Sequence, residues 1–217
     1  MLNRAVARQR IFGKQRDYEA FEKVLQEAKK RLPRGVLAWC VMPNHWHLVL
    51  RPRGDGDLSE FMRWLSVTHT QRWHAAHHTA GTGPLYQGRF KSFPIQEDMH
   101  LLTVMRYVER NALRAKLVDA AEEWRWGSLW HRINGNPAGL LDEPPLSLPR
   151  DWRQRVQAAE TEAELAALRQ AVVRGRPFGE TSWQEKTAKR LHLESTLCSR
   201  GRPRKVSSAI PPTKQRK

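Results

Sequence analysis

The chain is poor in cysteine and in acidic residues, and it lacks any long apolar run. Its two cysteines, Cys40 and Cys198, stand far apart in the sequence. We therefore expect free thiols in a reducing cytoplasm rather than a disulfide framework. No apolar run is long enough to span a bilayer, and the opening residues MLNRAVARQR lack the apolar segment of a signal peptide. These absences predict a cytoplasmic protein.

The shortage of acidic residues leaves a strongly basic chain. Among its 217 residues, 38 are lysine or arginine and 22 are aspartate or glutamate, which gives a formal charge of +16. The sequence pI is about 10.7. Such a balance is typical of proteins that bind a polyanion, either nucleic acid or a membrane surface. Because no membrane span is predicted, nucleic acid is the favoured partner, and the nucleoid is the expected location.

A stretch of alternating side chains, VLAWCVMPNHWHLVL over 36–50, predicts a buried β-hairpin. Two mostly apolar runs flank Pro43-Asn44, a dipeptide that favours a tight turn. Because side chains alternate along a strand, His45 and His47 share one face while Trp46 lies on the other. Two imidazoles on one strand can bind a metal ion together, but a third ligand must come from elsewhere.

The order of the predicted elements indicates the fold class. Strands are predicted over 2–6, 36–42, 45–50 and 88–95, and helices over 18–32, 58–78 and 99–115. This order is that of an α+β, ferredoxin-like (split βαβ) fold with one added helix. We expect a mostly antiparallel sheet with helices on one face and a free face for a ligand.

The remaining sequence extends beyond this domain. The predicted parts are a sheet-and-helix domain (1–133), a linker (134–150), a small helical appendage (151–198) and a basic tail (199–217). The linker holds four prolines, and Thr161 with Glu164 forms a capping box in the appendage. The tail has seven basic residues and no acidic one, so we expect it to be disordered until it meets a phosphate backbone.

The third predicted helix, 99–115, presents a group of functional side chains on one flank. Tyr107, Asn111 and Arg114 follow the spacing i, i+4 and i+7. If this flank faces the histidine pair, the Asn111 oxygen can be the third metal ligand, with Tyr107 one turn away as a nucleophile. Mixed nitrogen and oxygen ligands with open positions suit Mg²⁺ or Mn²⁺ bound to a phosphate oxygen. Attack by a phenol on such a phosphate gives strand transfer rather than hydrolysis.

These motifs resemble those of a known family. MPNHWHLVL resembles the HUH motif of single-tyrosine HUH transposases, and RYVERNALRAKLV resembles their tyrosine helix. LNRAV, DYEAF, GRFKSF, RGRPFG and GRPRK are similar to segments of the REP-associated tyrosine transposases, a subgroup that the chain resembles over nearly its whole length. The sequence departs from many of these relatives at Ala112 and Lys116, where they have Pro and Gly.

The resemblance implies an activity and a set of roles. Such proteins cut and rejoin single-stranded DNA at hairpin-forming repetitive extragenic palindromes, and residues 1–133 would be the catalytic domain. Tyr107 would join the 5′ phosphate and leave a free 3′ hydroxyl, while His45, His47 and Asn111 would bind Mg²⁺ or Mn²⁺. We assign DNA contacts to basic side chains near the predicted site and in the tail, namely Arg89, Lys91, Arg110, Arg114, Arg202, Arg204 and Lys205. A monomer is favoured, and a dimer is the alternative.

Other interpretations of these residues remain open. The histidine pair can be purely structural, in which case the protein is a non-catalytic regulator that binds repeat hairpins on its sheet. RNA processing is a weaker third option. A histidine-triad hydrolase is disfavoured because its third histidine would fall at Val49. A second cluster, His74, His77 and His78, ends a solvated helix and is interpreted as surface.

The basic tail generates a prediction about salt dependence. Deleting 199–217 should weaken hairpin binding for every sequence tested, because the tail binds phosphates and not bases. The slope of log K against log salt should fall by up to about 5, at about 0.7 per phosphate contact on single strands. Fluorescence anisotropy at several salt concentrations measures it, and an unchanged slope would show that the tail does not contact DNA.

Overall fold

The computed structural model describes residues 1–31, 35–136 and 139–198, so the tail assignments Arg202, Arg204 and Lys205 lie outside the described residues. The strands are β1 (Leu2–Arg4), β2 (Gly35–Met42) and β3 (His45–Arg51). The helices are α1 (Gln15–Arg31), α2 (Asp57–His77), α3 (Met99–Glu109), α4 (Asn111–Arg114), α5 (Ser128–Asn134), α6 (Trp152–Gln157), α7 (Glu162–Arg174) and α8 (Thr181–Arg190). In the described ranges, none of the helices combines the length and apolar character that a membrane crossing requires.

The hairpin of β2 and β3 is confirmed. The two strands pair antiparallel around Pro43-Asn44, with Cys40 opposite His47 and Met42 opposite His45. A register shift between Val36 and Ala38 marks a bulge near the start of β2. Beyond that bulge, the alternation that the sequence predicts is regular and fixes which side chains share a face.

The other side of β3 pairs with β1, which gives the strand order β1-β3-β2 and confirms an antiparallel sheet. The predicted strand 88–95 is not a regular strand. It contributes the bridge Leu2 to Lys91, and a second bridge joins Ala5 to Tyr86. Leu2 and Ala5 are three positions apart in the sequence, whereas Tyr86 and Lys91 are five positions apart, so the ladder is interrupted. The segment therefore lies where a fourth ferredoxin-like strand would lie, without forming one.

Helices pack on both faces of the sheet, so the expectation of helices on one face is wrong. Trp39 and Trp46 belong to a core with α1 and α2, whereas Cys40 and Val49 belong to a second core with α3. The physical reason lies in β2, where every residue after Gly35 is buried. A continuous apolar run is typical of a strand covered on both sides. The face predicted to be free is therefore largely occupied by α3.

Residues 124–128 run along the free edge of β2. The backbone N–H of Val41 donates to the carbonyl of Trp126 at 2.9 Å, and that of Trp39 donates to Ser128 Oγ at 3.1 Å. Trp124 Nε1 donates to the Val41 carbonyl at 3.0 Å. The segment protects an edge of the sheet that would otherwise expose unpaired backbone groups. The division into domain, linker and appendage stays a prediction.

A buried carboxylate connects α3 with the segments that follow it. Glu109 Oε1 accepts hydrogen bonds from Ser128 Oγ at 2.6 Å and from Arg132 Nε at 2.8 Å. Its Oε2 accepts from Trp152 Nε1 at 2.7 Å. The Glu109 side chain is fully buried and that of Arg132 nearly so. Because α5 and α6 supply the donors, this single carboxylate holds three helices together.

The network predicts a large effect on stability. Glu109→Gln should lower the free energy of unfolding by about 3–5 kcal/mol, because it leaves Arg132 buried without its counter-charge. Urea denaturation measures the change. The matched control is Glu19→Gln on the exposed side of α1, where Glu19 accepts from Gln15, and it should change stability by less than about 0.5 kcal/mol. Equal effects of the two variants would contradict the structural role of Glu109.

Candidate active site

Two histidine rings lie side by side on β3. Their centroids are 5.1 Å apart, with His47 buried and His45 partly exposed. Nδ1 of His45 lies 2.6 Å from Oδ1 of Asn44. Because an amide oxygen only accepts, this nitrogen carries the proton, and Nε2 of the neutral ring has the lone pair. The turn residue therefore sets the tautomer in which Nε2 can bind a metal ion.

Burial keeps both rings in their neutral form. It lowers the pKa of His45 to about 4, with further lowering by the charges of Arg4 and Arg114. Burial also lowers the pKa of His47 well below the usual value, and the neighbouring His45 and other positive charges lower it further. A neutral imidazole is the form that binds a metal. At neutral pH the pair is therefore ready to bind a cation without first losing a proton.

The flank of α3 and α4 faces this pair. The Tyr107 ring meets the His47 ring edge-to-face, at 6.0 Å between centroids. The Arg114 guanidinium lies over the Tyr107 ring, 4.0 Å from its centroid, and donates to Asn111 Oδ1 at 2.8 Å. The predicted helix 99–115 is divided at Arg110, where α3 ends and the short α4 begins. Across this division, Arg114 contacts both Tyr107 and Asn111.

The side chains here carry donors of the kind that bind a divalent cation. Asn111 is buried, and its Nδ2 finds no hydrogen-bond partner among the residues that the structure describes. Its Oδ1 accepts one bond from Arg114 and has a second lone pair. Within 1–31, 35–136 and 139–198, no group of three or more His, Cys, Asp or Glu is placed to bind a metal ion. A ligand set of His45, His47 and the Asn111 amide therefore depends on mixed donors, which suit Mg²⁺ or Mn²⁺.

Two of the predicted DNA contacts lie on the irregular segment beside β1. Arg89 and Lys91 are both exposed. Lys91 lines a cavity together with His47, Tyr107 and Leu168 of α7.

The other two predicted contacts are already ion-paired. Arg110 Nη1 lies 3.2 Å from Glu160 Oε2, and Arg114 Nη1 lies 3.1 Å from Glu160 Oε1. Both arginines are mostly buried, and the Glu160 side chain is 1 % exposed. The structure thus places them against the appendage rather than at an open surface, and their contact with DNA stays a prediction.

Sequence reasoning missed two residues of this site. Glu160 was not predicted. A signal for it was present, because arginines recur every four residues at 106, 110 and 114 and form a charged stripe on one helix face that is expected to pair with acidic residues. Arg4 was also missed. It lies opposite His45 in the β1–β3 ladder, and its charge contributes to the low pKa of that ring. Only the pairing of β1 with β3 brings it there.

The second histidine cluster is separate from this site. His74 Nδ1 lies 2.8 Å from Thr79 Oγ1, and His77 Nδ1 lies 2.8 Å from the Trp73 carbonyl. The His77 ring also stacks on Trp73 at 4.1 Å between centroids. His77 Nε2 also lies 3.3 Å from Oδ1 of Asp17 in α1. His74 and His77 are thus partly buried and held by neighbouring residues, and His78 is exposed.

Comparison with known proteins gives the following matches. A family described as "Transposase IS200 like" matches residues 2–111. The solved structure of a REP-associated tyrosine transposase bound to a REP hairpin is 19 % identical to this chain, with a TM-score of 0.53. The match covers 74 % of this chain and 82 % of that one, and at this identity it shows a shared fold. No curated protein matches the chain at a significant level.

The cysteine environments generate a prediction about thiol reactivity. Both cysteines are free, as predicted, but Cys40 is buried under the histidine pair and Cys198 is exposed. Burial raises the pKa of Cys40 to about 12. The folded protein should therefore release one equivalent of thionitrobenzoate rapidly from Ellman's reagent at pH 8, and two after denaturation, because only a thiolate reacts. In Cys198→Ser the rapid phase should vanish, and a rapid phase that persists would show Cys40 to be accessible.

Proposed function

The chain belongs to the family of IS200-like transposases, and we propose that it cleaves and rejoins single-stranded DNA at hairpin-forming repeats through Tyr107. The observation that carries this proposal is the meeting of Tyr107 with His47, at 6.0 Å between ring centroids, with Arg114 in contact with both Tyr107 and the buried Asn111 amide. The similarly folded transposase with a bound REP hairpin supports repeat hairpins as the class of substrate.

The reaction is a transfer of one phosphodiester bond. The Tyr107 hydroxyl oxygen attacks the scissile phosphorus, a phosphorus–oxygen bond to tyrosine forms, and the bond to the 3′ oxygen breaks. The 3′ oxygen leaves as a hydroxyl after it gains a proton, and the phenol loses one. The phosphotyrosine keeps the energy of the broken ester, so a 3′ hydroxyl can reverse the step and rejoin a strand without another energy source.

His45, His47 and Asn111 would bind Mg²⁺ or Mn²⁺ beside the scissile phosphate. The ion supplies positive charge that polarises the phosphate and stabilises the negative charge of the transition state. The protein provides two neutral imidazoles, one set in its tautomer by Asn44, and an amide whose oxygen is oriented by Arg114. These contacts position the donors before substrate arrives, which lowers the cost of reorganisation.

Basic side chains on the described surface and in the tail would bind the DNA backbone. Arg89 and Lys91 are exposed, and Lys91 lines the cavity that Tyr107 also lines. A charge of +16 supplies the long-range attraction, so affinity should depend strongly on salt. Action as a monomer in the cytoplasm, associated with the nucleoid, remains the prediction made from the sequence.

The proposal predicts a covalent adduct that depends on one hydroxyl. With a 3′-labelled single-stranded repeat hairpin and Mn²⁺, the wild-type protein should form an adduct that survives denaturing electrophoresis. Tyr107→Phe should form none, because it lacks the attacking oxygen, and EDTA should abolish the adduct by removing the ion. Tyr18→Phe, which changes a buried tyrosine of α1, is the matched control and should retain adduct formation.

Hairpin affinity measured in EDTA separates cleavage from binding. Tyr107→Phe should bind the hairpin within about 2-fold of the wild type, since one hydroxyl contributes little to the contacts with the DNA phosphates. An adduct formed by Tyr107→Phe would overturn the assignment of the nucleophile. Tight hairpin binding by the wild type without any adduct would favour the non-catalytic regulator.

A further inference from the structure

A row of ion pairs joins the tyrosine helix to the appendage. Arg106, Arg110 and Arg114 recur every four residues along α3 and α4, and all three face carboxylates that follow residue 150. Arg106 Nη2 lies 2.8 Å from Oε1 of Glu164, while Arg110 and Arg114 share Glu160. The family match ends at residue 111, so most of this contact lies outside the part that defines the family.

Glu160 is the most buried member of this row. Its side chain is 1 % exposed, and each of its oxygens contacts a different guanidinium. Arg110 is held a second time, because its Nε donates to the Gln157 carbonyl at 3.3 Å. A buried carboxylate that pairs with two arginines is held in place, because moving it away would leave buried charges unpaired.

Arg114 carries this fixed position to the candidate active site. Its Nη1 contacts Glu160, its Nη2 donates to Asn111 Oδ1 at 2.8 Å, and its Cζ lies 4.0 Å from the Tyr107 ring centroid. Nη1 also donates weakly to the Tyr107 carbonyl at 3.4 Å. The planar fork of arginine can make these contacts together, which the point charge of lysine cannot.

We propose that Glu160 is a positioning residue for strand transfer: it holds Arg114 so that the Asn111 oxygen and the Tyr107 ring keep the orientation that metal binding and attack require. This inference rests on the proposed function. Partners that orient metal ligands typically account for 10- to 100-fold in metal affinity or activity. The appendage is then part of the catalytic unit rather than a separate binding module.

The neighbouring ion pair offers a matched control. Glu164 also comes from the appendage and also pairs with an arginine of α3, but its side chain is 34 % exposed. Its hydrogen bonds are to Arg106 and Thr161, away from Asn111 and Tyr107. Glu164→Gln keeps the capping box, which accepts glutamine. The two Glu→Gln changes therefore differ mainly in whether the partner arginine contacts the site.

The experiment compares Glu160→Gln with Glu164→Gln in the full chain. Single-turnover adduct formation with Mn²⁺ should fall about 10- to 100-fold in Glu160→Gln, and Mn²⁺ affinity measured by calorimetry should fall with it. Hairpin affinity in EDTA should stay within about 2-fold of the wild type. Glu164→Gln should change all three quantities by less than about 2-fold. Equal behaviour of the two variants, or a loss of hairpin affinity without a loss of Mn²⁺ affinity, would overturn the inference.

Arg114→Lys alone covers the outcome that Glu160→Gln is poorly folded, and the double variant tests whether Glu160 acts through Arg114. Arg114→Lys keeps the charge but loses the fork, so Mn²⁺ affinity should fall, and adding Glu160→Gln to it should cause little further loss, because both changes act through one contact. If the losses of Mn²⁺ affinity add up in the double variant, Glu160 does not act through Arg114. If the wild-type protein neither binds Mn²⁺ nor forms an adduct, the proposed function itself is overturned. If the wild type does both and Glu160→Gln behaves like it, this inference alone is overturned.

Discussion

The structure depends on the burial of one hairpin from both sides. The alternation of β2 and β3 puts Trp39 and Trp46 into a core with α1 and α2, and it puts Cys40 and Val49 into a second core with α3. Burying both faces stabilises the sheet, and it also brings the tyrosine helix against the strand that carries the histidines. The candidate site forms where this second core meets solvent, so the position of Tyr107 follows from packing rather than from a flexible loop.

Charge has a second role beyond attraction to a polyanion. The chain has few acidic residues, yet two of them, Glu109 and Glu160, are buried against arginines of the helices around the site. Glu109 holds the end of α3 to α5 and α6, and Glu160 holds α4 to the appendage. In a protein of net charge +16 these pairs neutralise arginines that would repel one another. Other basic side chains, among them Arg89 and Lys91, are exposed.

The fold could be predicted from the sequence where the periodicity was strong and local. The hairpin, the antiparallel sheet and the helices up to α3 follow from alternation and helical spacing, which reflect burial directly. The second helical layer was missed because a continuous apolar strand was interpreted as having one buried face. The segment 88–95 was predicted as a strand from its alternation. Whether it forms a regular strand depends on its pairing with β1, which is distant in the sequence. The spacing of Tyr107, Asn111 and Arg114 indicated a shared flank, whereas the contact of Arg114 with Glu160 joins residues distant in sequence and has no local signal.

The central claim is that two imidazoles of β3 and an amide of α4 hold one divalent cation beside Tyr107. Anomalous diffraction from crystals of the full chain grown with Mn²⁺ and a repeat hairpin tests it most directly. One strong peak should lie about 2 Å from a ring nitrogen of both His45 and His47 and from Asn111 Oδ1, within reach of the scissile phosphate. A peak elsewhere, or rings that bond only within the protein while Asn111 stays bound to Arg114 alone, would contradict it.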